Sequence, residues 1–214
     1  MKVLLEILSS AYILNEKSTE LPNIKTLVPH MMTRRRLTKA SKMVVELLHQ
    51  VQPWEQGRIV CGSAFGELET TANILNAIKN DEPLSPTDFQ NSVYNTAVSY
   101  LSILNHNQHE ILTISSGDKT SLNVLKAGAL KALDGDTLLL LAFETLDIPN
   151  IDQVNHGLTY LECGVALVVR LSTLSPTIEL QKSPIVGLPC SMSHMVHLAM
   201  VAKDAPQAVV EITL

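Results

Sequence analysis

Apolar residues recur along the chain at two spacings, and the alternation between them predicts the element order. Lys2 to Leu8 (KVLLEIL) is short and apolar and predicts a strand, followed by a polar loop to Pro29. From Thr38 onward, Met43, Val44, Leu47, Leu48 and Val51 share one helix face until Pro53 stops the pattern. Arg58 to Cys61 predicts a short strand closed by Gly62. Leu68, Ala72, Leu75 and Ile78 form a second helical stripe, ended by the breaker cluster Asn80 to Pro86. Thr87 or Asp88 can cap a third helix running through Val93, Ala97 and Leu101. A strand over Ile111 to Ser115, a helix stripe of Leu122, Leu125, Ala129 and Leu133, and a continuous apolar strand from Thr137 to Phe143 follow. Val165 to Leu171 is a further apolar strand, and such runs mark a parallel sheet covered on both faces. Beyond Pro176 the pattern weakens to a strand over Thr177 to Leu180, a short helix over Met192 to Ala202 and a last strand over Ala208 to Thr213. This order predicts an α/β fold: a mainly parallel mixed sheet with helices on both faces and right-handed crossovers.

Length and charge narrow the picture. A chain of 214 residues can bury a full core without disulfides, and its length favours one domain over residues 1–214. Charged residues are only 17 % against a usual ~25 %, an under-charged surface of the kind a partner covers. Residues 1–60 hold nine Lys/Arg and five Asp/Glu, while the remainder is strongly acidic. No basic face interleaved with aromatic residues occurs, which argues against nucleic-acid binding. Cys61, Cys163 and Cys190 are odd in number and unpaired in spacing, which fits a reducing compartment and makes the cytoplasm the default location. No apolar run approaches the ~18 residues of a membrane span.

Several local strings then coincide in order. Thr33-Arg34-Arg35-Arg36-Leu37-Thr38 precedes the first helix, and Cys61-Gly62-Ser63-Ala64-Phe65-Gly66-Glu67 joins strand to helix. Leu84-Ser85-Pro86-Thr87-Asp88-Phe89 leads to Ser92-Val93-Tyr94-Asn95. Thr113-Ile114-Ser115-Ser116-Gly117 ends a strand; Asp134-Gly135-Asp136 and Leu161-Glu162-Cys163-Gly164-Val165-Ala166 precede the two apolar strands. Over roughly residues 30–170 this order resembles the N-terminal half of β-ketoacyl synthases, and in particular the short synthase-like, chain-length-factor subunits of aryl polyene and related lipid biosynthesis. The resemblance implies a thiolase-like half fold, no cofactor, a full-length β-ketoacyl synthase as heterodimer partner, and acyl carrier protein as the source of the chain.

Two departures shape the functional expectation. Active synthases place a cysteine where strand meets helix, so that the helix N-terminus stabilises the attacking thiolate. Here the segment reads Ile114-Ser115-Ser116-Gly117-Asp118, without cysteine. The chain also stops where synthases continue into a half carrying two histidines. The expectation is a non-catalytic subunit that shapes the pocket for an acyl or polyene chain. The alternative is a serine acyltransferase or thioesterase acting on carrier-protein thioesters through Ser115 or Ser116 and a histidine. A homodimeric binding module outside chain elongation is the third.

Ser115 and Ser116 have no evident base in the sequence, and capping by Ser116 or Asp118 is the simpler role. Cys190, His194 and His197 have a C-x3-H-x2-H spacing, but zinc needs a fourth ligand and usually a tighter cysteine pair, so partly buried or interfacial histidines are the simpler account. Cys61 and Cys163 lie beside apolar strands as small core residues. Arg34, Arg35 and Arg36 form either a solvated or structurally paired cluster or a docking patch for an acidic carrier protein. Gly62 and Gly66 match no nucleotide loop and shape a turn. Phe65, Leu68 and Ala72 are spaced to share one face, which on pattern alone reads as core packing. By the resemblance they are the candidates for setting chain length at a dimer interface.

Overall fold

The computed structural model describes every residue except 18–19, 52–53, 182 and 206, so the Pro53 expected to stop the first helix lies outside the described residues. The strands are β1 (Lys2–Asn15), β2 (Ile59–Gly62), β3 (Ile111–Ile114), β4 (Leu138–Thr145), β5 (Glu162–Leu171) and β6 (Ala208–Thr213), in the sheet order β3-β2-β4-β5-β1-β6. Helices α1 (Ile24–Leu27), α2 (Met31–Arg36), α3 (Lys39–Gln50), α4 (Leu68–Lys79), α5 (Pro86–Asn91), α6 (Thr96–Leu104), α7 (Thr120–Ala132) and α8 (Ser193–Asp204) connect them, with 3-10 turns at Gly117–Lys119, Ile151–Gln153 and Cys190–Met192.

The mixed sheet has helices on both faces, as its sequence pattern predicts, but its parallel pairings are confined to one end. There β2 pairs with β3 and β4 in parallel; β4 with β5, β5 with β1, and β1 with β6 are antiparallel. The apolar runs therefore report double coverage rather than strand direction. On β4, Leu138, Leu140 and Ala142 enter the core under α7 and α8, while Leu139, Leu141 and Phe143 enter the core under α3 and α6. On β5, Val165 and Leu167 face the first of these cores and Ala166 and Val168 the second.

The strand expected over residues 2–8 continues to Asn15. A bulge between Ile7 and Ser9 breaks the alternation that would have revealed it, and the Ser10 hydroxyl donates to the Ala199 carbonyl, 3.1 Å away. The arginine string, which precedes the first predicted helix, lies in a short helix of its own, α2. The third helix is split in two. Ser85 rather than Thr87 or Asp88 caps α5, its hydroxyl accepting from the Asp88 N–H at 3.2 Å, and the Thr96 hydroxyl donates to the Asn91 carbonyl across the break. Thr177 to Leu180 makes only an isolated bridge, Ile178 to Val210. The strand predicted over Arg58 to Cys61 runs from Ile59 to Gly62, and Arg58, just before it, is tied to Asp134 and Asp136, the carboxylates that precede β4.

One segment stands apart from this scheme. No apolar residue from 63 to 96, all of them described, joins either core. Leu75 and Ile78, expected on the buried face of α4, are each 60 % exposed. No helix among the described residues is long and apolar enough to cross a membrane.

Candidate functional site

The sheet carries its polar chemistry at the C-terminal ends of β2 and β4. Glu144, on β4 directly after the apolar run, is fully buried, and four donors converge on it. Its Oε1 accepts from the Ala64 N–H at 2.7 Å and the Ser191 hydroxyl at 2.8 Å. Its Oε2 accepts from the Ser63 hydroxyl at 2.9 Å and the Phe65 N–H at 3.2 Å. Ser63 Oγ in turn accepts from the Gly66 N–H at 2.8 Å. Burial pushes the carboxyl above its ordinary range, and the four donors pull it back. Sequence reasoning passed over Glu144; the signal was a single carboxylate ending a fully apolar strand, which must find internal partners.

The turn that Glu144 holds carries Phe65. Gly66 sits at φ +61° and a Cβ there would meet the Tyr94 ring at 3.0 Å, so the turn admits glycine. The left-handed residue also keeps Phe65 off the helix, which begins at Leu68. Only Leu68 and Ala72 then share a helix face, both half-buried, whereas Phe65 is 48 % exposed and lies outside both cores. Core packing, the simpler account of these three residues, is thus corrected for Phe65.

The segment that replaces the synthase cysteine lies beside this turn. Ser115 and Ser116 are exposed, and the Ser115 hydroxyl donates to the Ala64 carbonyl at 3.4 Å. That same carbonyl accepts from the Tyr94 hydroxyl at 3.3 Å. Among the described residues, no hydrogen bond joins either serine side chain to a histidine or a carboxylate. A serine hydroxyl whose partner is a carbonyl has no base to take its proton. The expected capping by Ser116 or Asp118 is also absent; Thr120 instead ties the turn back on itself, its Oγ1 accepting from the Ser116 N–H at 3.0 Å and donating to the Gly117 carbonyl at 2.7 Å. Gly117 turns the chain at φ +54°.

The remaining candidates disperse. Arg34 is used internally, donating to the Val28 and Pro29 carbonyls, while Arg35 and Arg36 are exposed. Both line a cleft of about 210 Å³ with Lys39, Glu67 and Asp88. Cys190 is exposed in the turn that packs against Gly117–Lys119. His194 and His197 are half-buried on α8 with unpartnered Nδ1 atoms, and burial holds the His194 imidazole below its ordinary pKa. Among the described residues no group of three or more His, Cys, Asp or Glu could hold a metal ion. Cys61 and Cys163 are fully buried; burial pushes the Cys61 thiol up to about 12 and Cys163 well above its usual value, so both stay protonated.

The family of β-ketoacyl synthase N-terminal domains matches residues 10–209. The chain belongs to this family. The match extends well beyond residues 30–170, where the ordered strings carry the resemblance. No curated protein matches the chain in sequence. Among solved structures, the ketosynthase ApeO in complex with its chain length factor ApeC, from Xenorhabdus doucetiae, aligns with a TM-score of 0.71 at 23 % identity, covering 95 % of this chain and 93 % of the matched one. The ishigamide ketosynthase/chain length factor aligns at 0.59 and 12 % identity, over 77 % of this chain and 61 % of that one. A β-ketoacyl synthase from Burkholderia phymatum STM815 aligns at 0.53 and 11 % identity, over 80 % and 60 %. These likenesses are of fold, and the fold is the thiolase-like half of a ketosynthase.

Proposed function

We propose that this chain is a ketosynthase-like subunit without condensation chemistry of its own, which pairs with an active β-ketoacyl synthase and shapes the pocket for a growing acyl or polyene chain. The observation that carries this reading is the segment from Phe65 to Ile103, which holds eight of the eighteen large exposed hydrophobics among the described residues and whose apolar residues up to 96 stay outside both cores. Apolar surface of that extent is stabilised by covering it. The cysteine-free, base-free serine segment supports a silent role, and two of the similar folds come from ketosynthase–chain length factor structures.

In this reading Phe65, with Leu68 and Ala72 behind it, forms one wall of the chain pocket and contributes shape rather than proton transfer. Each methylene that enters an apolar pocket gains about 0.8 kcal/mol, so a side chain closing the pocket makes the next extension unfavourable. Arg35 and Arg36, exposed on α2, offer positive charge to an acidic acyl carrier protein.

Co-expression with co-encoded ketosynthases followed by size-exclusion chromatography tests the assembly. The expected result is a stable heterodimer burying on the order of 2,000 Å² or more; a monomer that ignores every such synthase overturns it. Within the complex, Ser115→Ala and Ser116→Ala should leave product formation within about threefold, whereas a loss of ~100-fold in a folded complex would establish a nucleophile. Phe65→Ala should lengthen the products at nearly unchanged rate.

A further inference from the structure

The Glu144 carboxylate does more than satisfy itself. It gathers the backbone of three consecutive residues: Ala64 and Phe65 directly, and Gly66 through the Ser63 hydroxyl. On the outer side of the same turn, the Ala64 carbonyl accepts from Tyr94 and Ser115. The turn that carries the exposed aromatic ring is therefore held on one side by three of the donors to Glu144, those of Ser63, Ala64 and Phe65, and on the other by two hydroxyls at the Ala64 carbonyl. A surface turn whose only task is to link β2 to α4 needs no such anchoring, since its donors could face water.

We propose that Glu144 is a positioning residue that fixes the direction of Phe65 and thereby sets how sharply the chain pocket ends. The proposal rests on the reading that Phe65 borders the chain. A fixed ring imposes one maximum length; a ring on a loosened turn samples several positions and admits several lengths. The carboxylate suits this task because it is acceptor-only, so each of its oxygens can take two N–H or O–H donors at once. Glu144 also holds Ser191 in the turn against Gly117–Lys119, a tie that leaves the Phe65 backbone untouched.

That separation supplies the test, performed on the complex with its ketosynthase. Ser63→Ala removes the links to Gly66 and to one carboxylate oxygen while leaving the other three donors in place. Ser191→Ala removes only the other tie. Ser63→Ala should speed amide exchange at Ala64 to Gly66 by ~10-fold or more and broaden the spread of product lengths, with total product within about threefold. Ser191→Ala should lower the melting temperature without changing the spread. Glu144→Gln, which sets amide N–H groups against N–H donors in a buried site, should broaden the spread further where it folds, but Ser63→Ala is the deciding variant. Unchanged exchange in Ser63→Ala overturns the clamp. Faster exchange with a wild-type length distribution overturns the positioning role alone, provided Phe65→Ala shifts the lengths. Lengths unmoved by Phe65→Ala remove the underlying reading and this role with it. Equal broadening by Ser191→Ala would assign the effect to general loosening and would also overturn the proposal.

Discussion

Helices α3 and α4 are both twelve residues long and both carry an apolar stripe, yet α3 buries eight residues whereas α4 buries one, the polar Thr70. The difference lies in what each meets. Helix α3 lies on β4 and β5, where the missing side chain of Gly164 lets it approach so closely that a Cβ there would stand 2.6 Å from Met43 Sδ and 2.8 Å from Leu47 Cδ1. Helix α4 packs on α5, itself outside both cores, and keeps Leu75 and Ile78 in the open. An amphipathic pattern thus states that a helix needs cover, but not whether the cover comes from its own chain.

The largest expected effect on the chain's own stability is in α3. Leu47→Ala should cost ~2–5 kcal/mol, and Gly164→Ala should destabilise from the opposite side by forcing Met43 and Leu47 apart. Leu75→Ala should stay within ~0.5 kcal/mol. Urea unfolding of the three variants measures this, and a cost for Leu75→Ala near that of Leu47→Ala would erase the contrast.

The seam between the two helices responds to pH. The Thr38 hydroxyl caps α3, accepting from the Ser41 N–H at 3.0 Å, and donates to Glu67 at the start of α4 at 2.9 Å. Burial pushes Glu67 up to about 7, with Glu69 adding repulsion. Burial also pushes Glu162 up to about 7, against the pull of Lys39, which spans the seam to Glu69 and to the Asp147 carbonyl. The folded state therefore keeps protons that the unfolded chain has released above about pH 4.5. The stabilisation is complete below that value and is lost as pH rises through about 7. For Glu67 the loss is at most about 1.4 kcal/mol for each pH unit crossed. Glu144 acts in the same direction, while His194, depressed by burial, opposes on the acid side. The urea midpoint should fall from pH 5.5 to pH 8, and Glu67→Gln, which retains the Thr38 bond, should flatten the slope. An unchanged slope would mean that the seam is hydrated and that α4 is held elsewhere.

What the pattern made legible follows the same division. β4 and β5 were evident because both their faces are covered by this chain, which makes Leu138 to Phe143 and Val165 to Val169 unbroken apolar runs. The extension of β1 was hidden because, after Val3, Leu5 and Ile7, the alternation calls for an apolar residue at position 9, whereas the bulge leaves an exposed Leu8 followed by Ser9 and Ser10. The placement of Phe65 was hidden because one left-handed glycine, Gly66, delays the helix and cancels the spacing argument. Glu144 carried a signal that hydrophobic periodicity discards: a carboxylate that ends an apolar strand and must recruit donors from a distant turn.

The smallest effect on the chain's own stability, and the sharpest on the comparison, belongs to the exposed stripe of α4. Leu75 and Ile78 stand three residues apart on one face, so Leu75→Lys combined with Ile78→Lys places two charges in one patch. Because both side chains already stand in water, the folding free energy should change by less than ~0.5 kcal/mol. If a ketosynthase covers this face, the same two lysines must be desolvated on pairing, and affinity should fall by at least ~10-fold. Leu130→Lys with Leu133→Lys, at similarly exposed positions at the end of α7, supplies the control and should leave pairing intact. Titration by analytical ultracentrifugation distinguishes the cases. Loss of pairing in both double variants would point to a general charge effect; loss in neither would place the partner on another surface; loss in the α4 variant alone would show that the stripe on α4 is a core face whose other half belongs to a second chain.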